Sequence, residues 1–395
     1  MISNKRLSPL NIIVITVLID MTGFGIIIPL IPFYARKFEA GATGIGILIA
    51  SFSLMQFIFS PLLGRISDRM GRRPVLIFSI LTSIGSFLLF TFANSYPVLL
   101  ASRVIAGLAT EGGIAQAYIA DITTREERSQ GIGKVGAASG IGFILGPVIS
   151  GFLSPYGLWA PGATAAFLGV INLSFVLLFL PEPRVHKESK ISTGWVDSIQ
   201  EIIETINKPI VGQVLLIYFV VVLAFATIPV IVPILAIENY GFTEVETSYM
   251  FIFIGIVQVV LQGFAIKRLS AWLGEEKLII LGPLSMMIGI FLMPILNNII
   301  LFGVCLAFLS AGIGISNTAV PSFISMMTEQ DKQGGTLGVT QSVGSIARIP
   351  GPLLGGVTAD LTNIASPFFL SSAILIIPFL VGCRVFQACR LRGIT

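Results

Sequence analysis

The chain has 395 residues, of which 54% are hydrophobic and only 11% charged, with a formal net charge of +4. Soluble domains carry about 25% charged residues, so this composition excludes a water-soluble globular protein and points to an integral membrane protein. Three cysteines (Cys305, Cys383, Cys389) without metal-ligand spacing and a lone His186 give no metal site, no disulfide framework and no imidazole proton relay.

A helix crossing a hydrocarbon core of about 30 Å needs roughly 20 apolar residues. On that measure twelve spans are predicted, at 10–34, 44–64, 74–93, 97–120, 133–154, 162–181, 209–236, 247–266, 277–296, 299–320, 335–358 and 366–386. Nothing near the first span resembles a cleavage site, so that span is expected to be retained. Of the 24 Lys and Arg residues, Arg36 and Lys37 fall on one side of the membrane, Arg103 and Arg348 inside spans, and all the others on the opposite side. The positive-inside rule then places both termini in the cytoplasm of a multi-pass cell-membrane protein. The longest polar segment divides the spans six and six. This predicts an N-terminal bundle (1–181), a linker (182–208) and a C-terminal bundle (209–395). In the linker, Trp195, Ile199, Ile202, Ile203 and Ile206 recur at helical spacing opposite Asp197, Glu201 and Glu204, as in an amphipathic helix lying on the membrane.

Between the second and third spans lies Gly64 to Leu76, G-R-I-S-D-R-M-G-R-R-P-V-L, in which Arg65, Asp68, Arg69, Arg72 and Arg73 crowd a hinge between two uncharged spans. The two halves also look like copies. Gly146-Pro147-Val148-Ile149-Ser150-Gly151 is echoed by Gly351-Pro352-Leu353-Leu354-Gly355-Gly356, and Pro29 and Pro32 by Pro229 and Pro233. The hinge strongly resembles the second-to-third-helix loop of the major facilitator superfamily. Membership implies two pseudo-symmetric six-helix bundles, with substrate bound near the midplane between them. It assigns Gly64, Asp68, Arg69, Gly71, Arg72 and Arg73 to a gate that locks the cytoplasmic ends of the two halves in one conformation, together with the span-eleven terminus; the alternative is a solvated charged turn that only fixes topology.

Charges at a helix centre cost about 2.5–3.5 kcal/mol on insertion scales, yet four side chains break the apolar pattern: Asp20, Arg103, Glu111 and Arg348. At 1.5 Å per residue, Asp20 falls roughly 15 Å from one surface, with Arg103 about 9 Å and Glu111 about 21 Å from the other. In a continuous fourth helix Arg103 and Glu111 share a face about 12 Å apart, out of direct reach, while Asp20 on a neighbouring helix reaches either. Acids in low dielectric beside a guanidinium can load and release protons, so Asp20, Glu111 and Arg103 are the candidate proton-coupling group. The alternative is a static ion pair that fixes packing.

Further stretches are similar to the drug:proton antiporter branch of that superfamily: Leu18 to Pro29 in the first span, Arg103 to Gly107 in the fourth, and Gly133, Gly142, Gly146, Pro147 and Gly151 in the fifth. Residues 11 to 155 look most like the tetracycline-efflux proteins. Those exporters carry an acid in the third helix where this chain has Ser86, and span nine here has none, which points to a cargo other than tetracycline. The fifth-span glycines also read as a helix-packing motif. Hydrogen-bonding candidates for the substrate cavity are Asn172, Gln213, Tyr218, Gln258, Asn317 and Gln341, with Arg348 at its hydrophilic end. The expectation is a monomeric secondary transporter in the bilayer that exchanges protons for amphiphilic or drug-like small molecules, with no cofactor, no enzymatic site and no nucleic-acid partner. A facilitator or symporter of a polar metabolite such as a sugar stays open, as does a non-transporting receptor or lipid scramblase on the same fold.

Overall fold

The computed structural model describes residues 8–183, 203–328 and 333–391. Its helical spans are α1 (Pro9–Lys37), α2 (Ala42–Met70), α3 (Arg72–Thr91), α4 (Tyr96–Ile122), α5 (Arg125–Leu153), α6 (Trp159–Phe179), α7 (Pro209–Tyr240), α8 (Glu244–Leu273), α9 (Glu275–Leu292), α10 (Ile299–Met326), α11 (Gln333–Ala347 and Pro350–Leu361) and α12 (Ser366–Leu391). This is the expected all-α membrane fold of twelve transmembrane helices in two six-helix halves. Ten of them are long and apolar enough to cross a membrane unaided. The others fall short for local reasons: Glu275, Glu276 and Lys277 open α9, and α11 breaks between Ala347 and Pro350.

Helix ends follow from residue chemistry. Ser8 caps α1 by accepting from Asn11 N–H at 3.3 Å, with Pro9 in the first turn. Asn298 caps α10 by accepting from Ile300 and Leu301 N–H. That cap separates α9 from α10 where the sequence offers only Asn297 and Asn298. Prolines bend the paired helices α1 and α7 at matching places, through a 3-10 turn at Ile28–Leu30 and an interruption at Thr227. Two expectations are corrected. Span two does not stop at Gly64 but continues helical to Met70, so the hinge narrows to Gly71. The fourth span is not one helix, because Gly107 to Thr110 interrupt it between Tyr96–Ala106 and Glu111–Ile122. In the linker, 203–206 are helical; Trp195, Asp197, Ile199, Glu201 and Ile202 lie outside the described residues.

Contacts gather the chain into two compact units. The first takes α1, α2 from Ser51 onward, α3 to α6 and the start of α8 (Phe242–Ile252). The second takes the start of α2 (Gly41–Ala50), α7, the rest of α8 and α9 to α12. Both are built on backbone approaches that only small residues allow. In the first, a Cβ on Gly146 would lie 2.5 Å from the Gly25 backbone of α1, and one on Gly142 would lie 2.7 Å from the Leu18 carbonyl. In the second, a Cβ on Gly351 would lie 2.7 Å from the Leu223 carbonyl of α7. The two fifth-position motifs therefore make the same contact in each unit, α5 on α1 and α11 on α7.

Candidate functional site

The break in α4 organises the buried charges. Gly107 fits where its Cβ would strike the Phe52 carbonyl of α2 at 2.5 Å, so the first half of α4 ends pressed on α2. The chain then restarts at Glu111, whose first-turn position faces unsatisfied N–H groups and favours an anion. Two serines one turn apart on α3 hold this restart. Ser79 Oγ accepts from Thr110 N–H at 3.4 Å, and Ser83 Oγ donates to Glu111 Oε1 at 2.8 Å. Glu111 is 3% exposed.

Asp20 is half-buried on α1, in the turn between Leu18 and Thr22, whose backbone Gly142 touches. It accepts no hydrogen bond from any described residue. Asp20 and Glu111 lie on neighbouring helices, since α1 packs against the helix that Glu111 opens. Arg103 joins neither: its guanidinium lies over the Phe52 ring, 5.5 Å from the centroid, and its Nε has no hydrogen-bond partner among the described residues. Phe52 in turn packs on Phe24 of α1 with centroids 5.2 Å apart. The break in α4 is the reason the continuous-helix spacing of Arg103 and Glu111 does not hold.

At the hinge, Gly71 has φ +101°, and Glu182, just after α6, accepts from the N–H groups of Arg72 and Arg73 at 2.6 and 3.0 Å. Arg72 reaches Asp68 at 2.5 Å and Asp121, at the end of α4, at 2.7 Å. Arg73 donates to the Leu177 carbonyl at 2.6 Å. Arg69 is exposed, and a Cβ on Gly64 would meet nothing within 4 Å. All these partners belong to the first unit. Alanine at Gly71 would occupy a backbone region that costs about 1–3 kcal/mol for a residue with a Cβ, and its Cβ would meet the Glu182 carboxylate at 2.7 Å. Gly71→Ala is therefore expected to lower the unfolding midpoint in detergent. Gly85→Ala, in open space on the α3 helix that Gly71 precedes, should leave it in place; equal midpoints for the two variants would refute the assignment.

The cavity candidates separate by burial. Asn172 is 2% exposed and ties α6 to α1 through Nδ2 donating to the Thr16 carbonyl at 3.2 Å. Tyr218 is 3% exposed, and its ring fills the space beside Gly344 of α11. Arg348 is exposed at the break of α11. Gln213, Asn317 and Gln341 are exposed mid-helix, and Gln258 is half-buried beside Gly314 of α10. Pro147 stays within the α1–α5 seam, while Gly151 rests on Ser248 of α8. Sequence reading passed over Ser79, Ser83, Asp121, Glu182 and Asp360. The acids among them sit at helix ends, where a charge carries no signal of its own.

Comparison with known proteins gives a consistent result. The family model described as the Major Facilitator Superfamily matches residues 13–352 and, in a second match, 214–388. The tetracycline resistance protein, class E, of Escherichia coli is 33% identical over 349 residues, covering 86% of this chain and 85% of that protein. Multidrug resistance protein 2 of Bacillus subtilis (strain 168) is 27% identical over 379 residues, covering 95% and 94%. The crystal structure of the human organic anion transporter MFSD10 (TETRAN) superposes with a TM-score of 0.71 at 22% identity, covering 94% of this chain and 98% of that one; at that identity it speaks to fold alone.

Proposed function

This chain belongs to the Major Facilitator Superfamily, and we propose that it is a secondary transporter exporting amphiphilic, drug-like small molecules in exchange for protons. The observation that carries this reading is the pair Asp20 and Glu111. They are two acids on different helices of an apolar bundle, Asp20 on α1 and Glu111 at the break of α4, in the half against which α1 packs. Discontinuous helices mark ion and substrate sites in transporters, and intramembrane acids mark proton paths. The resistance proteins of Escherichia coli and Bacillus subtilis support a drug-like cargo.

In this reading each half, 1–181 and 209–395, moves as a bundle about the linker 182–208, with both termini cytoplasmic. Cargo and proton compete for the Asp20–Glu111 site, and Arg103 on Phe52 sets its electrostatic background. The hinge from Gly64 to Arg73 stabilises one conformation at the cytoplasmic face. The working unit is a monomer in the bilayer. Purified protein in liposomes, loaded with the fluorescent amphiphile ethidium, tests this. An imposed pH gradient should drive dye across the membrane against its own gradient and dissipate the pH difference in step. Dye flux indifferent to the pH gradient would count against exchange.

A further inference from the structure

At the end of α2 remote from the hinge, the chain enters the helix through Phe38, Glu39, Ala40 and Gly41, and Ile45 N–H donates to the Gly41 carbonyl at 3.2 Å. The cap comes from 318 residues away. Asp360, in the last turn of α11, accepts from Ala42 N–H at 3.0 Å through Oδ1 and from Thr43 N–H at 2.8 Å through Oδ2. A carboxylate here satisfies orphan donors and meets the positive end of the helix dipole.

The surrounding glycines are shaped for the contact. A Cβ on Gly41 would lie 2.8 Å from Asp360 Oδ2, and one on Gly46 would lie 2.5 Å from the Pro352 carbonyl. A Cβ on Gly356 would collide with the Ala42 carbonyl. The first turns of α2 and the end of α11 therefore meet backbone to backbone, and the Asp360 carboxylate bonds across. The pseudo-symmetric helix is built differently. α8 caps itself, Thr243 N–H donating to Glu246 Oε2 at 2.8 Å and Thr243 Oγ1 accepting from Val245 N–H at 3.3 Å. It approaches α5 at Gly151, where a Cβ would stand 3.0 Å from Ser248 Cβ and 3.7 Å from the Val245 carbonyl.

We propose that Asp360 is a latch: by capping α2 from α11 it holds the face opposite the hinge closed, and releasing that cap is part of opening this face during transport. This rests on the alternating-access reading above. Parting α11 from α2 leaves two N–H groups and one carboxylate without partners at once, whereas α8 can part from α5 and keep its cap. The device therefore acts on one side of the pseudo-symmetric pair.

Hydrogen–deuterium exchange on the intact protein in liposomes reads the latch directly. Asp360→Ala should speed exchange at Ala42 and Thr43 by roughly five- to tenfold, the scale of a lost cap. It should also raise exchange along Gly46 to Ala50 and Phe242 to Ile252, because the whole face opens. Asp360→Asn, which keeps the shape and one acceptor, should give an intermediate rise and guards against a folding defect in the alanine variant. Faster exchange confined to Ala42 and Thr43 would mean simple end fraying and overturn the latch, as would no change. In a background with Cys305, Cys383 and Cys389 replaced by Ser, joining Thr43→Cys to Asp360→Cys by oxidation should stop dye flux until a reductant is added. Undiminished flux through the cross-linked protein would also overturn it. If wild-type protein moves no dye at all, the transport reading fails by itself and the exchange pattern still decides the latch.

Discussion

Asp20→Asn is expected to abolish gradient-driven transport while leaving a well-folded protein. Asparagine matches aspartate in size and cannot load a proton, so flux under an imposed pH gradient should fall to that of empty liposomes. Exchange of labelled for unlabelled cargo at equal pH on both sides should persist. Stability should move the other way. An aspartate at a helix centre costs about 2.5–3.5 kcal/mol to insert, and in this protein Asp20 gains no hydrogen bond from any described residue in return. The variant should therefore unfold no earlier in detergent than wild type. Glu111→Gln separates the two acids, since glutamine keeps an acceptor for Ser83 Oγ and loses only the charge. It too should uncouple flux from the gradient, with cargo exchange at equal pH retained. A full rate of gradient-driven flux in Asp20→Asn would remove this acid from the coupling step, whatever Glu111 does.

The second large effect is structural and reaches the same acid. Gly146→Leu should prevent recovery of folded, monodisperse protein. The added Cβ alone would lie 2.5 Å from the Gly25 backbone, and the rest of the side chain has no route out of the α1–α5 seam. Overpacking a close-packed site costs about 1–3 kcal/mol even where neighbours can yield, and here the neighbour is main chain. Gly142→Ala is the milder probe. Its methyl would press on the Leu18 carbonyl at 2.7 Å and Met21 Cβ at 2.8 Å, so α1 must shift at the turn that carries Asp20. This variant should fold, unfold earlier than wild type, and lose more of its gradient-driven flux than of its equal-pH exchange. Gly136→Ala, on the same helix with nothing within 4 Å, is the control and should sit within about 0.5 kcal/mol of wild type, as surface changes do. If Gly142→Ala matched that control in both melting and flux, the seam would have no part in placing Asp20.

Some of this was legible in the chain alone, because its causes are local. Length and apolarity mark a span wherever a run of residues occurs, so twelve spans and their order could be counted. The hinge glycines and arginines, and acids stranded in apolar runs, stand out against their own neighbours. The copied motifs around Gly146 and Gly351 could be matched letter by letter. Other features depend on partners that a one-dimensional reading does not bring together. Thr110 and Glu111 restart α4 against serines about 30 residues earlier, with Glu111 bonded to Ser83 at a separation of 28. Arg103, which hydropathy marks as a companion for an acid, is instead laid on Phe52. The hinge arginines take Asp121 and Glu182, acids indistinguishable in sequence from any polar helix end. The cap of α2 comes from Asp360. Hydrophobic burial acts on every residue and writes itself along the chain, so sequence alone determined the membrane fold and its candidate charges. A hydrogen bond or an ion pair needs two groups within a few ångströms, so only tertiary structure decided which charges meet.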